Sequence, residues 1–81
     1  MTICNNRGLH ARAAAKFVEL AQGYDAVIHV SRDGETVNAD SIMELLMLAA
    51  SKGSEIGIEA SGAEAADALA ELVEAGFHED D

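Results

Sequence analysis

Apolar positions along the 81 residues change their period several times, and each change predicts a new element. Met1–Cys4 is a short apolar run expected as a first strand, and Asn5-Asn6-Arg7-Gly8 closes it with a loop signal. From about His10 to Gln22, the residues Ala14, Phe17, Val18 and Ala21 recur at the spacing of one buried helical stripe. Arg12, Lys16 and Glu19 share the wet side of that helix, and Gly23 is expected to end it in a left-handed conformation. Tyr24–Val30 is rich in strand formers. Ser31-Arg32-Asp33-Gly34 then predicts a hairpin turn, because Asp-Gly suits positive φ, and Glu35–Ala39 returns as a strand. A second helix is expected over about Ile42–Ser51, ending at Lys52-Gly53. Glu55–Ala60 alternates, with Ile56 and Ile58 inward. After Ser61-Gly62 a third helix turns Leu69 and Val73 inward and Glu64, Asp67, Glu71 and Glu74 outward, up to Gly76. His78-Glu79-Asp80-Asp81 reads as a loose tail.

Strands with one polar face and three amphipathic helices imply an α+β fold. The expected architecture is a two-layer open-faced sandwich, a four-stranded antiparallel sheet covered on one face by three helices. A chain of 81 residues has room for one core, so residues 1–81 are expected to form a single domain.

The second helix carries more apolar surface than this architecture can cover. At 100° per residue, Leu45, Leu48 and Ala49 form an arc that can face the sheet. Ile42, Met43, Leu46, Met47 and Ala50 form another that points elsewhere. Such a surplus marks a protein-docking patch, and two methionines suit a surface that adapts to more than one partner.

Composition narrows the function classes. There is one cysteine, so no intramolecular disulfide, and Cys4 reads as a small apolar residue of the first strand. No apolar run approaches the roughly 20 residues that span a bilayer, and no leader is evident; a cytoplasmic protein without membrane insertion is expected. The net charge of −10 is divided unevenly: Arg7, Arg12 and Lys16 lie in the first 18 residues, and all 15 acidic residues follow from Glu19 onward. Nucleic acid is a poor partner for such a surface. A small cationic spot on an acidic body instead suits a small anionic group near His10. Cys4, His10, His29 and His78 lack ligand spacing, so neither a metal nor a cofactor is expected.

Gly8-Leu9-His10-Ala11-Arg12 falls where a loop enters a helix. Backbone N–H groups of a first helical turn lack intrahelical partners and favour phosphate. A neutral imidazole placed there can attack phosphorus, and Arg12 can offset charge on the phosphoryl oxygens, with Arg7 or Lys16 adding a longer-range field. Read alone, such a histidine is more often a partly exposed cap residue than a nucleophile. No carboxylate or serine is fixed nearby in sequence for a triad, and no Walker-type loop is present.

Three blocks, taken in order, extend the reading: Gly8-Leu9-His10-Ala11-Arg12 with Ala14-Ala15-Lys16-Phe17-Val18; Val37-Asn38-Ala39-Asp40-Ser41-Ile42-Met43 through Leu48 to Lys52-Gly53; and Ile58-Glu59-Ala60-Ser61-Gly62 with Ala68-Leu69. Together they resemble HPr, the histidine phosphocarrier of the bacterial phosphoenolpyruvate-dependent phosphotransferase system, over almost the whole chain. The resemblance implies that enzyme I phosphorylates His10 at Nδ1, that Arg12 assists, and that the group passes to an enzyme IIA. It implies a carrier rather than an enzyme, and a monomer that docks both partners through Ile42, Met43, Leu46, Met47 and Ala50, with Lys16 contributing. Leu45-Leu46-Met47-Leu48, Gln22-Gly23-Tyr24-Asp25-Ala26 and Gly76-Phe77-His78-Glu79-Asp80 are closer to members of the nitrogen-related branch than of the carbohydrate branch. Ala13 departs from the family pattern, which commonly has proline there; its N–H adds a phosphate donor.

Ser41-Ile42-Met43-Glu44 is a capping box for the second helix. In some members of the resembling family this serine is phosphorylated by a dedicated HPr serine kinase/phosphorylase, which makes Ser41 a candidate regulatory site. Two rival readings remain at this level. One is a non-catalytic regulatory module that binds a protein through the second helix. The other is a small phosphatase of similar layout, which needs an Arg and an Asn poised on a bound water.

Overall fold

The computed structural model describes residues 1–79; of the expected tail, Asp80 and Asp81 lie outside the described residues. Helix α1 spans Ala11–Gln22, strands β1 and β2 span Ile28–Arg32 and Glu35–Asn38, helix α2 spans Ile42–Met47, strand β3 spans Gly57–Ala60, and helix α3 spans Ala63–Glu74. A 3-10 turn, Gly76–His78, follows.

The sheet is antiparallel in the order β2-β1-β3. It therefore has three strands among the described residues rather than the four expected. Met1–Cys4 is the segment that falls short. It forms one isolated bridge, Thr2 to Glu55, while Ile3 N–H donates to the Ser54 carbonyl at 2.9 Å and Ile56 N–H to the Met1 carbonyl at 2.7 Å. The alignment is strand-like, but the pairing is too brief to make a ladder, because the loop Asn5–Gly8 turns the chain away immediately afterwards. Ile3 is nonetheless fully buried and anchors this edge.

The β1–β2 hairpin follows the expected turn chemistry. Arg32 faces Glu35 across a two-residue loop in which Asp33 and Gly34 both take positive φ, 50° and 86°. Helix α1 buries Ala14, Phe17, Val18 and Ala21 as the spacing predicts, together with Ala13. Gly23 ends α1 with φ −74°, so this C-terminus is a right-handed turn rather than the left-handed one expected; its N–H still reaches the Leu20 carbonyl at 3.1 Å.

Helix α2 departs furthest from its predicted bounds. It stops at Met47 instead of about Ser51, because Ala49 takes φ 52° and breaks the helical phase. Residues after the break no longer follow the wheel. Leu45 and Leu48 are buried as expected, but Ala49 is exposed and Ala50 is buried at 3% exposure. Ala50 therefore leaves the outward patch. Leu46 is half-buried against the core, and Ile42, Met43 and Met47 remain as exposed large apolar side chains.

The core lies between the helices and one face of the sheet. Phe17 of α1, Leu45 of α2, Val30 of β1, and Leu69 and Val73 of α3 meet there with Phe77 of the last turn. Each of the two Phe side chains is almost fully excluded from water, and truncating either to Ala costs about 3–5 kcal/mol.

Candidate functional site

The entrance to α1 is held by the segment that follows α2. Leu9 N–H donates to the Ala50 carbonyl at 2.8 Å, and the buried Leu9 side chain fixes the approach. Gly8 sits at φ 67°, and a Cβ there would lie 2.5 Å from the Ala50 oxygen and 2.7 Å from Ser51 Cα. Glycine is thus required twice, for the left-handed backbone and for the close approach. The break at Ala49 that ends α2 early also brings the Ala50 carbonyl to this contact.

His10 is the N-cap of α1, with an extended backbone and its side chain at the helix end. Nδ1 accepts from the Arg12 N–H at 3.3 Å. Nε2 on the far side of the ring is paired with Glu79 Oε2. The tail is therefore not loose as far as Glu79. That carboxylate is only 7% exposed, and its other oxygen accepts from Asn5 Nδ2 at 2.7 Å. Burial pushes the Glu79 carboxyl up, but hydrogen bonds from Asn5 and His10 and the nearby charges of His10 and Lys16 outweigh it. The carboxyl is held below its ordinary range.

Charges on α1 run against the usual rule for helix ends. No acidic residue occupies the first turn, and Arg12 places a cation where the helix dipole already presents positive charge. The first turn of α1 therefore carries positive charge that no acidic side chain of that turn offsets, a setting that favours an anion. Arg12 is exposed, free to reach one. Lys16 is more committed than expected: it is half-buried and its ammonium donates to the Phe77 carbonyl at 2.6 Å. Arg7 is exposed in the loop before Gly8.

Ser41 caps α2, its hydroxyl accepting from the Glu44 N–H at 3.2 Å. The exposed Ile42, Met43 and Met47 extend from that cap along α2. Cys4 is exposed rather than packed as an apolar strand residue, with Sγ 3.4 Å from the Val73 carbonyl. No cluster of metal-ligating side chains exists among the described residues, and no helix there is long and apolar enough to cross a membrane. Two clefts, one against Tyr24, Ile28 and Ala39 and another against Lys16, Leu20 and Leu72, do not include His10.

Glu79 and Asn5 are the site residues that sequence reasoning missed. Neither has a periodic signal, since both lie in irregular chain. The nearest clue was an acidic residue close behind the strong turn former Gly76.

Fold and site together define a small α+β protein that presents a half-buried histidine at the N-terminus of its first helix instead of enclosing it in a pocket. Comparison with known proteins gives the particular family. The family model PTS-HPr, described as the PTS HPr component phosphorylation site, matches residues 1–76, and the chain belongs to that family. It is 46% identical to phosphocarrier protein NPr of Klebsiella oxytoca over 82 aligned positions, 96% of this chain and 91% of the relative. It is also 46% identical to phosphocarrier protein HPr of Cupriavidus necator, again with 96% and 91% covered. Among solved structures, HPr-C-His of Thermoanaerobacter tengcongensis superposes with a TM-score of 0.92 at 41% identity, covering 99% of this chain and 93% of that one.

Proposed function

We propose that the chain relays a phosphoryl group through a covalent phosphohistidine at His10. The observation that carries this reading is the placement of Nδ1. Its lone pair faces the first-turn N–H of α1, at a helix end that has a cation and no acid. In the transfer, the Nδ1 lone pair forms a bond to phosphorus while the donor's bond to phosphorus breaks and the donor atom keeps that electron pair. The phosphoryl oxygens then take the place of Nδ1 as acceptors for the helix-end N–H groups, Arg12 N–H first and the N–H that Ala13 retains beside it. The Arg12 guanidinium offsets their charge. Delivery to the acceptor reverses the same bond changes.

The phosphocarrier names of the relatives support enzyme I as donor and an enzyme IIA as acceptor, with this chain a carrier in the cytoplasm that turns over no metabolite of its own. NPr is the nitrogen-related member of the pair of names, and both names stand at the same identity. Docking of both partners is assigned to Ile42, Met43 and Met47, with Leu46 at the edge, because these side chains are exposed together beside the cap of α2. A phosphate on Ser41 would replace a half-buried capping hydroxyl next to Glu44 and place negative charge beside this patch, which makes it a regulatory position.

Incubation with phosphoenolpyruvate, Mg²⁺ and enzyme I is expected to add one acid-labile phosphoryl group to the protein. His10→Ala should take up none, and label persisting on that variant would remove His10 from the relay.

A further inference from the structure

We propose that Glu79 is a positioning residue for the phosphoryl relay: it holds the proton of His10 on Nε2 and so keeps Nδ1 free to attack. The proposal rests on the reading of His10 as the phosphoryl acceptor and deepens it.

Two contacts on one imidazole point the same way. A neutral ring carries a single N–H. Nδ1 accepts from the Arg12 N–H at 3.3 Å, so it bears a lone pair, and the proton belongs on Nε2, where Glu79 Oε2 receives it. The carboxylate is in turn held by Asn5, whose Nδ2 donates both to Glu79 Oε1 at 2.7 Å and to the Gly8 carbonyl at 2.8 Å. This orientation of the buried Asn5 amide leaves its Oδ1 without a partner among the described residues. Flipping the amide would turn an oxygen toward the Glu79 carboxylate, so the two acceptors, Glu79 and Gly8 O, fix the orientation together.

The backbone is bent to bring Glu79 there. Gly76, Phe77 and His78 all take positive φ, 63°, 57° and 58°. Two of them have side chains, so the hook is strained and persists only because its surroundings over-determine it. Phe77 is wholly buried in the core, and Lys16 Nζ holds its carbonyl at 2.6 Å. Among the described residues, the charged and titratable groups facing Glu79 are thus His10 and Lys16, while Asn5 supplies a neutral donor.

A reacting Nδ1 loses its lone pair to phosphorus, and the ring becomes a phosphorylated imidazolium that retains Nε2–H. Glu79 faces that positive charge across the same hydrogen bond. Its own negative charge stays on the side of the ring away from the phosphoryl oxygens.

The test uses the full chain with ¹⁵N-labelled histidine. Two-bond proton–nitrogen correlations at neutral pH show which His10 nitrogen carries the proton, and single-turnover transfer from phosphorylated enzyme I gives the rate. Wild type should show the Nε2–H tautomer alone. In Glu79→Ala the Nδ1–H form should appear, and the rate at saturating carrier should fall on the order of tenfold with the half-saturating concentration unchanged, as expected on removing the partner that orients a reactive histidine. Glu79→Gln, which still offers an acceptor but no charge, should fall between the two. A Glu79→Ala protein with wild-type tautomer and rate, or one impaired only in half-saturation, overturns the proposal. Failure of wild type to accept any phosphoryl group would overturn the relay itself, while the tautomer measurement would still decide what Glu79 does.

Discussion

Helices α1 and α2 both begin with a side chain that accepts a hydrogen bond from the first turn, His10 Nδ1 from Arg12 N–H at 3.3 Å and Ser41 Oγ from Glu44 N–H at 3.2 Å. As caps they are nearly interchangeable. Their electrostatics differ. Helix α2 has Glu44 in its first turn, so its positive end is already answered within the helix; α1 has no acid there and adds Arg12. The start of α2 is balanced by its own first turn, whereas the start of α1 leaves its positive charge open to an external anion. On the proposed reading of His10, this difference lets one geometry serve as a structural cap at Ser41 and as a transfer site at His10.

The two starts also differ in how they are held, and this gives ways to break the comparison. The largest effect should come from Gly8→Ala, which forces a Cβ into the Ala50–Ser51 backbone at a left-handed position. We expect a loss of about 3 kcal/mol or more, lowering the melting temperature by roughly 10–20 °C in a thermal scan. A variant that melts like wild type would mean the α1 entrance is not pinned on the chain after α2. Ser41→Ala removes only a cap, so about 1 kcal/mol and roughly 4–8 °C should be lost, with phosphoryl uptake at His10 unaffected. Uptake that falls in step with stability would show that the two helix ends are coupled rather than separate.

The smallest effect concerns pH. The Glu79 carboxyl is held below its ordinary range in the folded chain, so its anchoring contribution is fully present above the ordinary carboxylate range. It is lost as pH falls through the lowered folded value. Glu55 behaves likewise, held low chiefly by the Thr2 hydroxyl and further by the N-terminal ammonium, against the loss of hydration that pushes it up. Amide exchange at Phe77–Glu79 should therefore stay slow from neutral pH down to mildly acidic conditions and quicken only below the carboxylate range. Quickening already near neutrality would mean that Glu79 is not the anchor.

Much of this protein was legible without coordinates, and for identifiable reasons. The stripe on α1 was visible because Ala14, Phe17, Val18 and Ala21 keep one helical period over about two turns. The hairpin was visible because Asp33-Gly34 is a strong local turn signal. The Ser41 cap, the exposed Met43 and Met47, and the position of His10 at a helix start also followed from local pattern. Prediction failed where a distant contact overrides local preference. Ala49 has no intrinsic reason to take φ 52°; it does so where Leu48 and Ala50 enter the core and the Ala50 carbonyl meets Leu9. The first strand failed similarly, since its pairing with residues 53–56 ends where the Asn5–Gly8 turn begins.

The sequence by itself determined the family, the order of the three helices and of the three strands that form, the histidine and the uneven charge around it, because each is written in residue types at short range. Tertiary structure alone decided which end of that imidazole is tethered. Glu79 is 69 residues from His10 along the chain, and no period or motif links them. They meet because Phe77 is drawn into a core built by other elements, and its burial carries the next turn of chain back over the site.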